Sequence, residues 1–481
     1  MKVTVIGIGR LGAPYAASLA DIGHDVLGVE SDPHALAELR AGRAPFDEPG
    51  LSETIGKHTA DGRMRFTDSY GEAAAFADVH FVCVPTPQQT GSLAADLSFI
   101  EAAVTGLAER AHRDCLIVAK SSVPVGTAHR LSDQAAEVAR PGVTVSVAYS
   151  PDFLRESTSM QDAATPTRII AGISAHRPQD EAVLRTVWEP WTAAGVPLIV
   201  TSLATAELAK SAANGFLATK ISYANFLGAM CEQTGADIAD LSRSLGLDPR
   251  IGPAMLDAGL GFGGSCIPKD IRALYERATE LGVPEASFLK DIDAINIRRR
   301  RRVAALTREA TGGSLPGKRI AVWGAAFKPG TDDLRDSPAL AVALDLHTSG
   351  ADVVIHDPKA RLALQQQAPH LRTADCLADV LDGAHVLLHL TGWEQYRQAN
   401  PAALINRMAT PVVIDARGTL DRATWSNAGW TYSALGTPHE FSAHQESRRS
   451  EHPAAEVGDG DGASKVAAVE DASRTLGSSI R

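Results

Sequence analysis

Six residues near the start, Gly7-Ile8-Gly9-Arg10-Leu11-Gly12, follow an apolar strand pattern, Lys2–Ile6, and open an alanine-rich helical pattern. A glycine triplet between a strand and a helix constrains the fold more than any other feature of the chain, because in that context it marks a dinucleotide-binding β-α-β unit and a parallel sheet. Gly7 permits the tight turn, Gly9 lets the backbone approach a pyrophosphate, and Gly12 lets helix and strand pack closely, while the helix N-terminus attracts phosphate charge. Glu30 closes the next strand pattern. A carboxylate there accepts hydrogen bonds from the adenosine ribose hydroxyls and repels a 2′-phosphate, which favours NAD over NADP. A structural glycine turn beside a chance acidic residue is the plainer alternative.

The alternation continues through Asp25–Glu30, Val79–Val84, Leu116–Ala119 and Val143–Ala148, short apolar runs separated by helical stretches. That pattern predicts a doubly wound α/β domain over residues 1–200. From 201 to 302 strand signals vanish, and a helical pattern from Leu203 to Gln233 opens a helical central domain. Glu207, Lys210, Asn214 and Asn225 recur there at helical spacing on one face, a polar line of the kind that faces a site or a partner. Apolar residues around much of that helix predict that two chains pair through it, giving a homodimer or higher homo-oligomer. Gly312 to Gly317 reads as a linker. Lys318–Trp323, Asp352–His356, His385–Leu390 and Val412–Asp415 then predict a second Rossmann-like domain over 315–440. The tail, 441–481, is rich in Ser, Ala, Glu, Asp and Gly without aromatic residues, and is expected to be disordered.

A chain of 481 residues with 44% hydrophobic and 21% charged residues suits a folded protein of two or three domains. The net charge of −11 argues against a nucleic-acid partner. The run Arg298–Arg302 is local, and its ordinary reading is a solvated helix end. No apolar stretch is long enough to span a bilayer, and Met1–Ile6 enters a strand directly rather than a leader, so cytoplasm is expected. The five cysteines lack a C-x-x-C pair and none of the 15 histidines has metal-ligand spacing, so neither a disulfide framework nor a metal is expected.

Gly261-Phe262-Gly263-Gly264-Ser265-Cys266-Ile267-Pro268-Lys269-Asp270 is the segment richest in chemistry. Its glycines let backbone approach a ligand, and Cys266 sits just before a predicted helix, where Lys269 and the helix N-terminus favour a thiolate. Those are the conditions for an activated nucleophile. Asp270 is placed to cap the helix or orient water. For Cys83, Cys115, Cys231 and Cys376 the expectation is a small core residue. The second α/β half lacks a glycine triplet, and Lys328 beyond its first strand, with Asp332, Asp333 and Arg335, suits the phosphates of a substrate nucleotide or an ordinary charged loop.

Over nearly all its length except the tail, the chain resembles the UDP-glucose/GDP-mannose dehydrogenase family. The resemblance rests on Val5-Ile6-Gly7-Ile8-Gly9 with Gly12, Glu48-Pro49-Gly50-Leu51, Val84-Pro85-Thr86-Pro87, Ser121-Ser122-Val123-Pro124 and Pro151-Asp152-Phe153-Leu154-Arg155-Glu156. It continues through Glu207-Leu208-Ala209-Lys210 with Asn214, Asp248-Pro249-Arg250, the Cys266 loop, and Phe327-Lys328-Pro329 with Asp333 and Arg335.

The resemblance implies a four-electron oxidation of a nucleotide sugar C6 alcohol to a uronic acid, nearest the UDP-glucose branch, with NAD as oxidant. It implies a thiohemiacetal and a thioester on Cys266, with Lys210 stabilising the oxyanion and Asn214 and Asp270 holding sugar and water. Ser122 and Asp152 stand where the family usually carries threonine and glutamate, near hydride transfer. Aspartate is one methylene shorter, and misplacement on that scale can cost about 100-fold in rate. On the cofactor side the resemblance implies Thr86, Ser121, Glu156, Lys269 and Arg335. On the substrate side it implies Phe153, Leu154, Phe262, Gly263, Lys328 and Arg417, with Arg250 reaching from a neighbouring subunit. GDP-mannose and UDP-N-acetylhexosamine are the alternative substrates, and a non-catalytic nucleotide-sugar scaffold is the alternative of another class.

Overall fold

The structure, a computed structural model, describes residues 1–438. Strands β1 (Lys2–Ile6), β2 (Asp25–Val29), β3 (Met64–Thr67), β4 (Val79–Val82), β5 (Cys115–Ala119), β6 (Val145–Tyr149), β7 (Ile169–Ile173) and β8 (Leu198–Ser202) form one sheet in the order β3-β2-β1-β4-β5-β6-β7-β8. Every pairing is parallel except β6 with β7, which meet antiparallel at Tyr149 and Gly172. A second sheet, all parallel, comprises β9 (Arg319–Trp323), β10 (Asp352–His356), β11 (Arg372–Thr373), β12 (Val386–His389), β13 (Val412–Asp415) and β14 (Thr431–Ala434) in the order β11-β10-β9-β12-β13-β14. Both are α/β sheets, and a helical region lies between them in sequence, as the alternation of patterns predicts.

Central strands such as β4 to β6 are buried along their whole length because helices cover both faces, which is why they read as continuous apolar runs. On one face Val3, Val5 and Phe81 pack with Tyr15, Leu19, Trp188 and Trp191; on the other Ile6, Val82 and Tyr149 pack with Ile100, Val104 and Leu131. The strand order reverses between β1 and β4, and in such sheets ligands bind beyond the carboxyl ends of strands at the reversal. The glycine loop follows β1, Glu30 follows β2, Thr86 lies beyond β4, Ser121 and Ser122 beyond β5, and Asp152 to Glu156 beyond β6. One edge of the sheet therefore gathers residues scattered over 150 positions of sequence.

The helix Leu203–Thr234 is capped by Ser202, whose hydroxyl accepts Thr205 N–H at 3.2 Å, and ends at Gly235 in the left-handed conformation. Its polar line, expected to face a site or a partner, is buried: Lys210 and Asn214 line a cavity, whereas Glu207 and Asn225 accept backbone N–H groups. Glu207 accepts the N–H groups of Gly126 and Ala128 at 2.7 and 2.6 Å, satisfying the start of the helix Thr127–Val138. Leu208, Phe216, Tyr223, Phe226 and Met230 on the same long helix are exposed.

The structure corrects several expectations. Strands β3, β7, β8, β11 and β14 are short or lie outside the clear apolar runs, and sequence patterning does not register them. The arginine run lies inside the helix Phe288–Ala310 rather than at a solvated end. Arg299 and Arg302 reach Glu232 and Arg300 reaches Asp336, because a helix directs five successive side chains around its circumference and three of them meet carboxylates. Cys376 is exposed, whereas Cys83, Cys115 and Cys231 are buried. Among the described residues no helix is long and apolar enough to cross a membrane. The expected disorder of 441–481 lies outside the described residues.

Candidate active site

The three glycines of the first loop have different reasons to be glycine. Gly7 has φ +87°, and a Cβ on it would lie 3.0 Å from the Cys83 carbonyl; a Cβ on Gly12 would lie 1.9 Å from the Gly7 carbonyl. Gly9 has nothing within 4 Å of its Cβ position. Two glycines thus close the turn and the third faces open space, the surface a pyrophosphate needs. Glu30 is held by Ile8, Ser31 and Asp32 N–H groups at 3.1, 2.8 and 2.9 Å, which fixes its carboxylate at the end of β2.

These residues open a cleft of about 860 Å³ whose walls include Gly7, Gly9, Glu30, Thr86, Ser121, Ser122, Asp152, Glu156, Lys269 and Arg335. That volume suits a whole dinucleotide. Thr86 donates to the Ser122 carbonyl at 2.8 Å and Ser121 to the Val84 carbonyl at 2.6 Å, so both hydroxyls lock strand ends together. Asp152 accepts Leu154 N–H at 3.2 Å within its own loop. Glu48 fixes that loop from the other side by accepting Ser157 and Ser159 N–H, each at 2.8 Å.

A second cavity of about 500 Å³ is lined by Phe153, Lys210, Asn214, Gly263, Phe327 and Lys328 among others. Leu154, Glu156, Gly264, Ser265 and Cys266 line both spaces. Cys266 therefore stands where they meet. It is exposed, occupies the cap position of the helix Ile267–Glu280, and has Ser265 Oγ 3.5 Å from its Sγ. Its glycine-rich approach is dictated by the second half of the molecule: a Cβ at Gly263 would lie 2.4 Å from the Asp336 carbonyl, and one at Gly264 2.7 Å from the Phe327 ring.

Around the thiol the charges are already arranged. Lys210 is buried, with its ammonium 5.5 Å from the Phe153 ring centroid. Asp270, also buried, accepts Asn214 Nδ2 at 2.7 Å and Lys269 Nζ at 2.6 Å. The Lys269 charge is thus spent on Asp270 rather than offered to the thiol. Glu156 ties three segments: it accepts Ser265 Oγ at 3.1 Å, Arg335 at 3.3 Å and Thr331 Oγ1 at 3.3 Å, while Lys328 donates to its backbone carbonyl. Burial, with Asp333 beside it, raises the Glu156 carboxyl, and Arg10 and Arg335 oppose that rise.

Five of the residues named from sequence do not line either cavity: Gly12, enclosed in its own turn, Asp270, Arg250, Arg417 and Phe262. Arg250 has 87% of its side chain exposed and pairs with Asp248 at 2.6 Å. Arg417 is half-buried, donates to the carbonyls of Leu390, Gly261 and Phe327 at 2.6, 3.2 and 3.1 Å, and desolvation pushes its guanidinium down to about 10. Phe262 is buried, its backbone held on both sides by Asn296 at 2.8 and 2.9 Å. Sequence reading missed Lys120, which lines the second cavity just beyond β5. It donates to the Ser150 carbonyl at 3.3 Å and lies 4.3 Å from the Tyr15 ring centroid, and burial pushes its amine down. It missed Arg10 too. The signal was a charge inside the glycine loop for Arg10 and one directly before Ser121 for Lys120.

The chain matches three successive parts of the UDP-glucose/GDP-mannose dehydrogenase family: the NAD binding domain over residues 1–192, the central domain over 204–298 and the UDP binding domain over 321–422. It is 36% identical over 441 residues to the UDP-glucose 6-dehydrogenase of Rhizobium meliloti (strain 1021), covering 91% of this chain and 100% of that one. A UDP-glucose dehydrogenase structure from Pyrobaculum islandicum superposes with TM-score 0.84 at 35% identity, covering 91% of this chain and 98% of that chain. A UDP-D-ManNAc dehydrogenase structure from Pyrococcus horikoshii gives 0.79 at 25% identity, covering 91% and 99%. The chain belongs to the UDP-glucose/GDP-mannose dehydrogenase family.

Proposed function

We propose that this member of the UDP-glucose/GDP-mannose dehydrogenase family oxidises UDP-glucose to UDP-glucuronate with two molecules of NAD, through a covalent intermediate on Cys266. The observation that carries the reading is the position of Cys266 on the wall common to the cofactor-sized cleft and the second cavity. Bound NAD supplies a hydride acceptor at each of two oxidations.

In this reading the C6 hydroxymethyl group loses a hydride and a proton to become an aldehyde. Cys266 Sγ adds to C6, and the former carbonyl oxygen gains the proton as a thiohemiacetal forms. Loss of a second hydride and proton gives the thioester, and water then adds while the C–S bond breaks and Sγ regains a proton. A covalent tether keeps a reactive aldehyde from escaping between the two oxidations. Lys210, a buried cation facing the cavity, stabilises the oxyanion, where a preorganised charge in a dry site acts strongly. Asn214 orients Asp270, and together they hold the sugar and the attacking water. Ser122 and Asp152 lie on the cofactor side and serve the proton of the C6 hydroxyl. Phe153, Leu154, Gly263 and Lys328 hold the sugar nucleotide; Arg417 and Phe262 act by shaping the loop above it, and Arg250 serves the site of a neighbouring subunit. Three domains, 1–200, 201–302 and 315–440, divide these tasks among cofactor, central helices and nucleotide.

A second copy of the chain covers the strip Leu208, Phe216, Tyr223, Phe226 and Met230, since an apolar line of that length along one helix is an interface rather than a solvated face. Cytoplasm is the compartment proposed, where NAD, nucleotide sugars and a reduced Cys266 coexist.

Counting NADH formed per sugar consumed tests the reading, with wild type beside Cys266→Ser. Two NADH per UDP-glucose, lost in the variant, is the expected result. Turnover with GDP-mannose or an acetamido nucleotide sugar alone reassigns the substrate, and silence across that panel with both ligands bound favours a non-catalytic scaffold.

A further inference from the structure

Arg10, the residue following Gly9 in the first glycine loop, lines the cofactor cleft but holds its guanidinium against acceptors from other segments. One guanidinium nitrogen bonds Asp332, and the other lies 3.4 Å from Thr331 Oγ1 and 3.9 Å from Glu156. The guanidinium also lies 5.1 Å from the Phe46 ring centroid. Asp332 and Thr331 belong to the loop after β9, in the second α/β half, so this one side chain links the two sheets across the mouth of the cofactor cleft.

The same loop carries Asp333 and Arg335, paired at 2.7 Å, and Arg335 reaches Glu156, which in turn accepts Ser265 next to the thiol. A short chain of polar contacts therefore runs from the glycine loop to the nucleophile. A dinucleotide seated on the Gly9 backbone brings two negative charges into the cleft whose wall Arg10 forms. Carboxylate and diphosphate then compete for a single guanidinium.

We propose that Arg10 is a positioning residue that exchanges Asp332 for the cofactor's diphosphate, coupling cofactor occupancy to the loop that steadies Ser265 and Cys266. The inference rests on the cofactor reading above. Its consequence lies in the interval between the two oxidations, when one cofactor leaves and another enters while the sugar stays on Cys266. With the cleft vacated, Arg10 returns to Asp332 and the second half remains docked over the intermediate; the arriving cofactor releases Asp332.

Because coupling is reciprocal, removing the competitor must tighten cofactor binding. The test is calorimetric titration of NAD into the full-length protein, for wild type, Asp332→Asn, Arg10→Gln and the double variant. Asp332→Asn is expected to tighten NAD binding roughly three- to tenfold and Arg10→Gln to weaken it by a similar factor, with the Asp332 effect absent in the double variant. Asp332 is partly exposed, and Asp332→Ser serves as a second variant should the first perturb folding, checked by circular dichroism. Unchanged or weaker NAD binding in the Asp332 variants overturns the proposal. Equal tightening in the Arg10→Gln background also overturns it, since the effect would then be a general loss of negative charge. Failure of the wild type to bind NAD would remove the cofactor reading and this proposal together, an outcome visible before any variant is compared.

Discussion

Asn214 and Asp270 are joined by a 2.7 Å hydrogen bond from Nδ2 to Oδ2, which ties the middle of the long helix Leu203–Thr234 to the first turn of the helix that begins after Cys266. Lys269 occupies the other Asp270 oxygen at 2.6 Å. The carboxylate is thus fixed by one neutral and one charged donor before substrate arrives.

Replacing Asn214 by Leu leaves Asp270 Oδ2 buried without its donor and free to swing towards Lys269. We expect kcat to fall about 100-fold with a smaller change in KM, because the loss falls on orientation rather than on ground-state binding. Steady-state kinetics beside thermal melting checks this; an equal rise in KM at constant kcat would mean that Asn214 serves binding alone.

Gly264→Ala combines a left-handed φ of +86° with a Cβ only 2.7 Å from the Phe327 ring, so the Cys266 loop or the ring must move. Gly252→Ala meets nothing within 4 Å and pays only for its φ of +70°. We expect the first to lose at least about tenfold in activity and to change the alkylation rate of Cys266, and the second to cost about 1 kcal/mol of stability with activity retained.

Two buried histidines contribute to the loss of stability in acid. Burial pushes His80 and His389 down to about 4 from the ordinary 6.5, so both are neutral in the folded protein, whereas in the unfolded chain they take up protons near the ordinary value. The unfolded state binds more protons between those values, and stability falls as pH drops through that window. Each contributes up to roughly 3 kcal/mol by the lower end. Melting temperature followed from pH 7 downwards should fall less steeply for His389→Gln than for wild type; parallel curves would contradict the assignment.

Phe216 and Tyr223 are the most exposed large side chains of the apolar strip on the long helix. A Phe216→Glu, Tyr223→Glu double variant should convert a dimer to a monomer at micromolar concentration, read by light scattering, because two buried charges per subunit cannot be satisfied across an apolar contact. A wild type already monomeric would refute the pairing itself.

Periodicity and glycine placement in the sequence determined the two α/β halves, the helical region between them and the cofactor loop, and singled out Cys266 as a candidate, because those depend on local steric demands that each residue carries with it. Gly12 must be glycine for its own turn, and Glu207, Lys210 and Asn214 share a helix face by spacing alone. Only the tertiary structure decided what residues distant in the chain do to one another. It turned Arg417 into a clamp on three backbone carbonyls, spent Lys269 on Asp270, buried Arg299 against Glu232, and set Arg10 on Asp332 across 322 positions of sequence. The physical reason is the same in each case: a long charged side chain has no fixed direction in sequence, and its partner is chosen by burial, which removes water and leaves the nearest acceptor to satisfy the charge.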